Sequence, residues 1–150
     1  MRIAIASDHA ALALKSVLAD YLRGLGHNVA DLGPHDETSV DYPDYGYSLA
    51  AAIADGSAER GVALCGSGIG ISIAVNRNPS ARAALVSEPL SARLAREHND
   101  ANVIAMGARL IGIEMAKACI DAFLSTDFGG DRHQRRVDKL SNPITTKEPA

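Results

Sequence analysis

The sequence predicts an α/β fold: a three-layer α/β/α sandwich built on a five-stranded parallel, Rossmann-like sheet. Five short strand-like runs alternate with helix-like stretches along the 150 residues, the pattern of consecutive βαβ units. Each run is almost continuously apolar, as strands buried on both faces require. The chain shows neither an internal repeat nor a linker-like break. Its length suits one domain spanning 1–150 that buries about 68–70% of the unfolded surface.

The elements follow in order. RIAIAS (2–7) reads as the first strand. The helix over 11–26 carries Leu12, Leu14, Val17, Leu18, Tyr21, Leu22 and Leu25 as its apolar stripe, and Gly24 and Gly26 stop it. NVADLG (28–33) is a short second strand. Residues 34–43, bounded by prolines, are polar and turn-rich, and such a loop more often carries function than packing. A second helix is expected over 45–56 and a third strand over GVALCG (61–66). A third helix follows over 69–77 and a fourth strand over ARAALVS (81–87). The helix over 88–100 has Pro89 in its first turn, where a missing N–H costs little. NVIAMG (102–107) is the fifth strand, followed by an amphipathic helix over 112–125. DRHQRRVDKLSN (131–142) reads as a last helix, and the tail from about 143 to 150 as loose.

Composition narrows the function. A formal charge of −3, with four Tyr, two Phe and no Trp, argues against a nucleic-acid binder, which needs basic surface and rings to stack on bases. No apolar run approaches the ~20 residues of a membrane span. The first strand starts at Arg2, which leaves no room for a signal peptide, and the expected location is the cytoplasm. Cys65 and Cys119 lack CxxC spacing and read as free thiols in a reducing compartment.

In parallel sheets ligands bind beyond the carboxyl ends of strands, which singles out Ser7-Asp8-His9, Cys65-Gly66-Ser67 and Ser87-Glu88. The segment ALCGSGIGISIA (63–74) is the most informative. Its glycines at 66, 68 and 70 miss the GxGxxG fingerprint by one residue, and Ile71 stands where a phosphate-binding loop needs lysine. The flanking glycines of a nucleophile elbow are replaced by Cys65 and Ile69, and a Cx5R phosphatase would need arginine at 71. What remains is strand, thiol, glycine turn, helix. Without side chains at 66, 68 and 70, backbone N–H groups can converge on an anion. The same field favours thiolate over thiol, so Cys65 can take a proton from carbon while the amides hold the oxyanion that results. The plainer alternative is that Cys65 is a small core residue and the glycines merely permit close helix–sheet packing.

Other residues bear on that choice. Asp8 is a natural helix N-cap, a role compatible with lining a cleft. His98 and Asn99 sit at a helix end; a lone histidine is usually structural, but among Glu, Asn and Asp it suits proton transfer. Arg132 and Arg136 lie one helical turn apart, which fits a solvated face or, beside an anion site, a phosphate grip.

With those residues in view, the chain resembles the type B ribose-5-phosphate isomerases of the ribose/galactose isomerase (RpiB/LacAB) family. The motifs IASDHA (5–10), DYPDY (41–45), CGSGIGISIAVN (65–76), SEPLSARLAREHNDANVIAMGAR (87–109) and GGDRHQRRV (129–137) carry the resemblance. It covers nearly the whole chain, from residue 3 to about 140. It implies interconversion of an aldose phosphate and a ketose phosphate through a cis-enediolate, with no metal or organic cofactor. It implies Cys65 as the base, the Ser67 hydroxyl and the amides of Ser67, Gly68, Ile69 and Gly70 as the anion hole, and His98 assisting ring opening with Asp8 opposite. Gly66 joins the substrate-binding loop; His9, Arg109, Arg132 and Arg136 would bind phosphate, and Tyr42 and Asn99 would line the sugar. It further implies a sheet in order 2-1-3-5-4. The oligomer would be a homodimer or a dimer of dimers with the site at the subunit interface, so that His98, Asn99 and Arg109 serve the neighbouring copy's Cys65.

The sequence departs from the family pattern at one position. Ser67 stands where threonine is common, which keeps the hydroxyl. In members that lack the cysteine, a glutamate on the following helix serves; here GISIA offers no acid, and Cys65 is the sole candidate. Ribose 5-phosphate is the first-choice substrate, with allose 6-phosphate, galactose 6-phosphate or a tetrulose 4-phosphate as alternatives. A non-catalytic phosphosugar-binding module with an inert Cys65 is the other class. A cysteine hydrolase lacks its usual partners.

Overall fold

The computed structural model describes residues 1–144. Among them, five strands and six helices alternate: β1 (Arg2–Ser7), α1 (Leu12–Gly24), β2 (Asn28–Asp31), α2 (Tyr42–Ala54), β3 (Arg60–Cys65), α3 (Ile69–Val75), β4 (Ala83–Leu85), α4 (Pro89–Asn99), β5 (Val103–Gly107), α5 (Ile113–Ser125) and α6 (Gln134–Ser141). Short 3-10 turns at His9–Ala11 and Asp131–His133 lead into α1 and α6. All strand pairs are parallel and the order is β2-β1-β3-β5-β4, as the resemblance implied. No described helix is long and apolar enough to cross a membrane.

Alternation along the strands gives the sheet two different faces. Ile3, Ile5, Val62, Leu64, Ile104 and Met106 pack on one side with α1, α4 and α5, where Leu18, Leu22, Ala92, Ile120 and Phe123 close the core. Ala4, Ala6, Ala63, Cys65, Val103 and Ala105 face the other side, under Leu49 of α2 and Ile71 and Val75 of α3. The small strand residues on this second face let the helices sit close. Gly46 of α2 lies so near α3 that a Cβ there would be 2.7 Å from Ala74 Cβ.

Several boundaries differ from the sequence expectation. The second helix starts at Tyr42 rather than 45, because Pro43 fits a first helical turn that needs no N–H there. The fourth strand keeps only three residues: the side chains of Asn102 and Asn76 take the amides of Arg82 and Ala83. The edge strands β2 and β4 are partly exposed rather than buried like the central strands, since each has a neighbour on one side only. Of the stripe expected for the first helix, Val17 in α1 and Leu25 just after it are exposed. Lys15 is buried instead, its ammonium donating to Asp31 Oδ1 at 2.6 Å and to the Pro34 carbonyl at 2.5 Å. A cation in the interior requires such partners. Here they bind α1 to the end of β2 and the segment that follows it. Of the tail expected to be loose, Pro143 and Ile144 belong to no helix or strand, and 145–150 lie outside the described residues.

Candidate active site

The chain runs from β1 to β2 on one side and later to β3 on the other, so the strand order reverses between β1 and β3. Such a point leaves a crevice beyond the strand ends. Asp8 and Cys65 stand there at the ends of neighbouring strands, joined by the Asp8 amide donating to the Leu64 carbonyl at 3.1 Å. They line an open cleft of about 550 Å³ together with Tyr42, Gly66, Ser67, Ile69, Gly70 and Arg109. Eight of the residues singled out from sequence thus meet in one place. Ile73 and Leu110 complete the lining. Sequence reading missed both, although Ile73 follows Ile69 by one helical turn and Leu110 follows Arg109.

The glycine turn explains how Cys65 reaches the cleft. Gly68 is in the left-handed region (φ +77°), and a Cβ there would lie 2.7 Å from both Leu85 Cδ1 and the Met106 carbonyl carbon. Only glycine allows this course at that distance. The turn brings the Gly68 N–H to 3.1 Å from Cys65 Sγ. The sulfur therefore sits at the wall of a cleft with a backbone donor on it, although the residue is only 4% exposed. The Ile69 N–H donates to Ser67 Oγ at 3.2 Å. Two of the amides expected to hold an anion thus make bonds within the loop itself, one to the thiol and one to the hydroxyl. At Gly70 a Cβ would fall 2.5 Å from the Tyr42 ring, so the phenol lies flat against the turn. At Gly66 it would be 3.3 Å from Arg109 Nη1, which places the guanidinium over the start of the loop.

Asp8 does what both of its readings asked. Its carboxylate accepts the Ala10 N–H at 3.0 Å as a cap, and the residue faces the cleft. His9 accepts the Val40 N–H on Nδ1 at 3.1 Å. That bond ties the 34–41 segment to the strand end and leaves the proton of a neutral ring on Nε2.

The remaining candidates are not in this cleft. His98, Arg132 and Arg136 form a second cluster where the end of α4 meets the turn before α6. The His98 and His133 rings stack at 4.5 Å with an interplanar angle of 14°, and Arg136 Nη1 donates to the Arg132 carbonyl at 2.8 Å. His133 was not singled out in the sequence, where it is one residue of a charged run. Its basicity is held below the usual histidine range, first by burial and then by the positive neighbours His98, Arg132 and Arg136. Asn99 faces a separate groove of about 350 Å³ with Asn76 and Arg82. One chain therefore brings Cys65, Asp8 and Arg109 together and leaves His98, Asn99, Arg132 and Arg136 on other surfaces. Arg109 lies in the cleft of its own Cys65, where the resemblance had placed it with the neighbour's.

Comparison with known proteins supplies the class of chemistry. The profile of the Ribose/Galactose Isomerase family matches residues 3–140. The ribose-5-phosphate isomerase B of Escherichia coli K12 is 42% identical over 140 residues, 93% of this chain and 94% of that one. A D-erythrulose-4-phosphate isomerase of Pectobacterium atrosepticum is 44% identical over 142 residues, 93% of each chain. Among solved structures, the ribose-5-phosphate isomerase B of Clostridium thermocellum superposes with a TM-score of 0.93 at 45% identity, covering 94% of this chain and 95% of that one. The ribose 5-phosphate isomerase of Thermotoga maritima gives 0.92 at 51% identity, covering 93% and 97%.

Proposed function

The chain belongs to the ribose/galactose isomerase family and is an aldose–ketose isomerase of sugar phosphates, and on that premise we propose that it interconverts D-ribose 5-phosphate and D-ribulose 5-phosphate with Cys65 as the base. The observation that carries this reading is the placement of Cys65 Sγ: on the cleft wall, 3.1 Å from the Gly68 N–H, with Asp8, Tyr42 and Arg109 around the same space.

In the aldose-to-ketose direction the thiolate takes the proton from C2. The C2–H electrons form the C1–C2 double bond, and charge moves onto O1. Backbone N–H groups of the 66–70 loop and the Ser67 hydroxyl meet that charge where it develops, the most effective place for a fixed dipole. The O2–H proton then passes to O1, the O2 electrons close the C2=O bond, and the C1–C2 double-bond electrons take the thiol's proton at C1, which restores the thiolate. Asp8 and Tyr42 hold the chain hydroxyls, and His9 and Arg109 face the phosphate.

Before this, the furanose must open. A base removes the anomeric O1–H proton, the C1–O4 bond breaks as C1=O forms, and O4 receives a proton. His98 is the group for that exchange, with Asn99 beside it and Arg132 and Arg136 gripping phosphate. Since one chain leaves these residues away from Cys65, the complete site lies at the interface of a homodimer, where each copy's His98 face meets the other's Cys65 cleft.

Cys65→Ser is expected to lower turnover about 10²–10⁴-fold, the range of a lost proton-transfer group, while ribose 5-phosphate still binds. Deuterium uptake from solvent at C1 of ribulose 5-phosphate should vanish with it; unchanged uptake overturns the base assignment. A specific observation favours a second substrate: the relative named D-erythrulose-4-phosphate isomerase is 44% identical, beside 42% for the Escherichia coli ribose-5-phosphate isomerase B. Running the uptake measurement on D-erythrulose 4-phosphate as well decides which sugar is turned over faster.

A further inference from the structure

We infer that His133 is a positioning residue for His98, holding the ring that opens the furanose in one orientation. The inference rests on the role given to His98 above and adds a residue to it.

The geometry is built from the backbone up. The Gly129 N–H donates to the Glu97 carbonyl at 2.9 Å, and the His133 N–H donates to the Gly130 carbonyl at 2.9 Å. These two bonds fold the 129–133 turn against the last turn of α4. A Cβ at 129 would lie 3.0 Å from the Glu97 carbonyl oxygen and 3.7 Å from His133 Cδ2, so the approach depends on a glycine. The outcome is the near-parallel ring pair, 4.5 Å between centroids and 14° between planes. His98 projects from the end of a helix and has more than a third of its side chain exposed; its other polar neighbour is Glu97, 3.9 Å from Nε2. Without the second ring, little on its own chain fixes its side-chain torsions. A stacked ring pair supplies that orientation.

The charges around His133 oppose a proton on its ring. Arg132 and Arg136, from the turn and α6, oppose a charge on His133, as does His98 from α4; Glu97 favours one. Arg132 Nε lies 3.5 Å from His133 Nε2, which suits that nitrogen as an acceptor. His133 is thus harder to protonate than an ordinary histidine. A neutral ring face beside an imidazolium is favourable, whereas two stacked cations are not. His133 touches no substrate atom in this scheme and acts through His98 alone.

The chemistry of the substrate offers a test within one enzyme. Ribose 5-phosphate is a furanose and must be opened. Ribulose 5-phosphate is open-chain, because the oxygen that would close a five-membered ring on C2 carries the phosphate. His133→Ala is expected to lower kcat on ribose 5-phosphate about five- to tenfold, the range a ring stack supports, with KM within about twofold. Deuterium uptake at C1 of ribulose 5-phosphate should stay at the wild-type rate, which also reports an intact fold. His133→Phe, which keeps the ring, should restore most of the loss. The NMR titration of the His98 ring protons, read without substrate, should shift in His133→Ala and move differently in His133→Phe, where no second titrating ring remains. Equal losses in both assays, no loss in either, failure of phenylalanine to rescue, or an unmoved His98 titration each overturn the inference. His98→Asn separates the two levels. If it slows both assays alike, the ring-opening reading fails and this inference with it. If it slows only the furanose reaction and His133→Ala does not, the inference alone fails.

Discussion

The loop between β3 and α3 and the surface formed by α4 and the 129–136 segment are built on opposite principles. The first is made of backbone: a left-handed glycine wedged against Leu85 and Met106, an amide on the sulfur, an amide on the Ser67 hydroxyl and a tyrosine ring laid on Gly70. The second is made of long side chains at helix ends, with Arg132 and Arg136 exposed and His98 stacked on His133. The difference matches the tasks. Charge that appears on an enediolate oxygen is best met by dipoles that need not reorganise. A phosphate and a sugar ring that must be captured, opened and released are better served by side chains that adjust.

The largest effects should come from adding one methyl group to each region. Gly68→Ala must place its Cβ 2.7 Å from the Met106 backbone and adopt a left-handed conformation costing about 1–2 kcal/mol. The loop has nowhere to move, so turnover should fall at least about a hundredfold, as when an oxyanion donor is lost, with a lower melting temperature. Gly129→Ala meets the Glu97 carbonyl oxygen at 3.0 Å in an exposed turn that can give by a few tenths of an ångström. Its loss on ribose 5-phosphate should stay within about tenfold. Equal damage from the two substitutions would erase the distinction between a rigid and an adjustable half-site.

Arg132→Ala and Arg136→Ala sharpen the same contrast with smaller changes. Both side chains are exposed, and neither forms an ion pair with a carboxylate among the described residues. Folding stability should stay within about 0.5 kcal/mol of wild type. Loss of a charge-assisted bond to phosphate should raise KM about tenfold with kcat nearly unchanged. A KM equal to wild type would leave these arginines as a solvated face.

The contrast also explains what could be read in advance. The fold was legible because strand–helix alternation and apolar strands are local signals, and the glycine loop because alternate glycines after a strand have few uses. Lys15 was not legible. A lysine within a helical stripe reads as surface, and its partners, Asp31 and the Pro34 carbonyl, come from the end of the next strand and the turn after it. The helix start at Tyr42 was missed because Pro43 reads equally as the end of a loop or as a first helical turn. His133 was invisible because its meaning is a contact with His98 across thirty-four intervening residues, made possible by a glycine at 129 whose neighbours no pattern names. Side-chain clusters on helix ends are long-range facts: the one-turn spacing of Arg132 and Arg136 left a solvated face and a phosphate grip both open, and only family resemblance chose between them.

The smallest predicted effect sets the two thiols against each other. Cys65 and Cys119 are nearly equally hidden, at 4% and 0% exposure, so burial alone does not make a reactive sulfur. Cys119 sits on the buried face of α5, and burial, helped by the negative charge of Glu88, raises its pKa from 9.0 to about 11. Its folded form therefore holds the proton where the unfolded chain has lost it. The stability this contributes is complete below about pH 9 and disappears as pH rises toward about 11. Tyr21, whose hydroxyl is bonded to Asp121, is raised above its ordinary value of 10.0 and adds a decline of the same sign at higher pH. Urea unfolding from pH 8 to 11 should thus show a falling stability whose lower-pH portion is absent in Cys119→Ala, even though that variant begins less stable for want of the sulfur's volume. Parallel curves for the two proteins would mean that Cys119 titrates as it does in water and that its core is open. Thiol labelling should follow the same division, with Cys65 reacting in the folded protein and Cys119 only after unfolding.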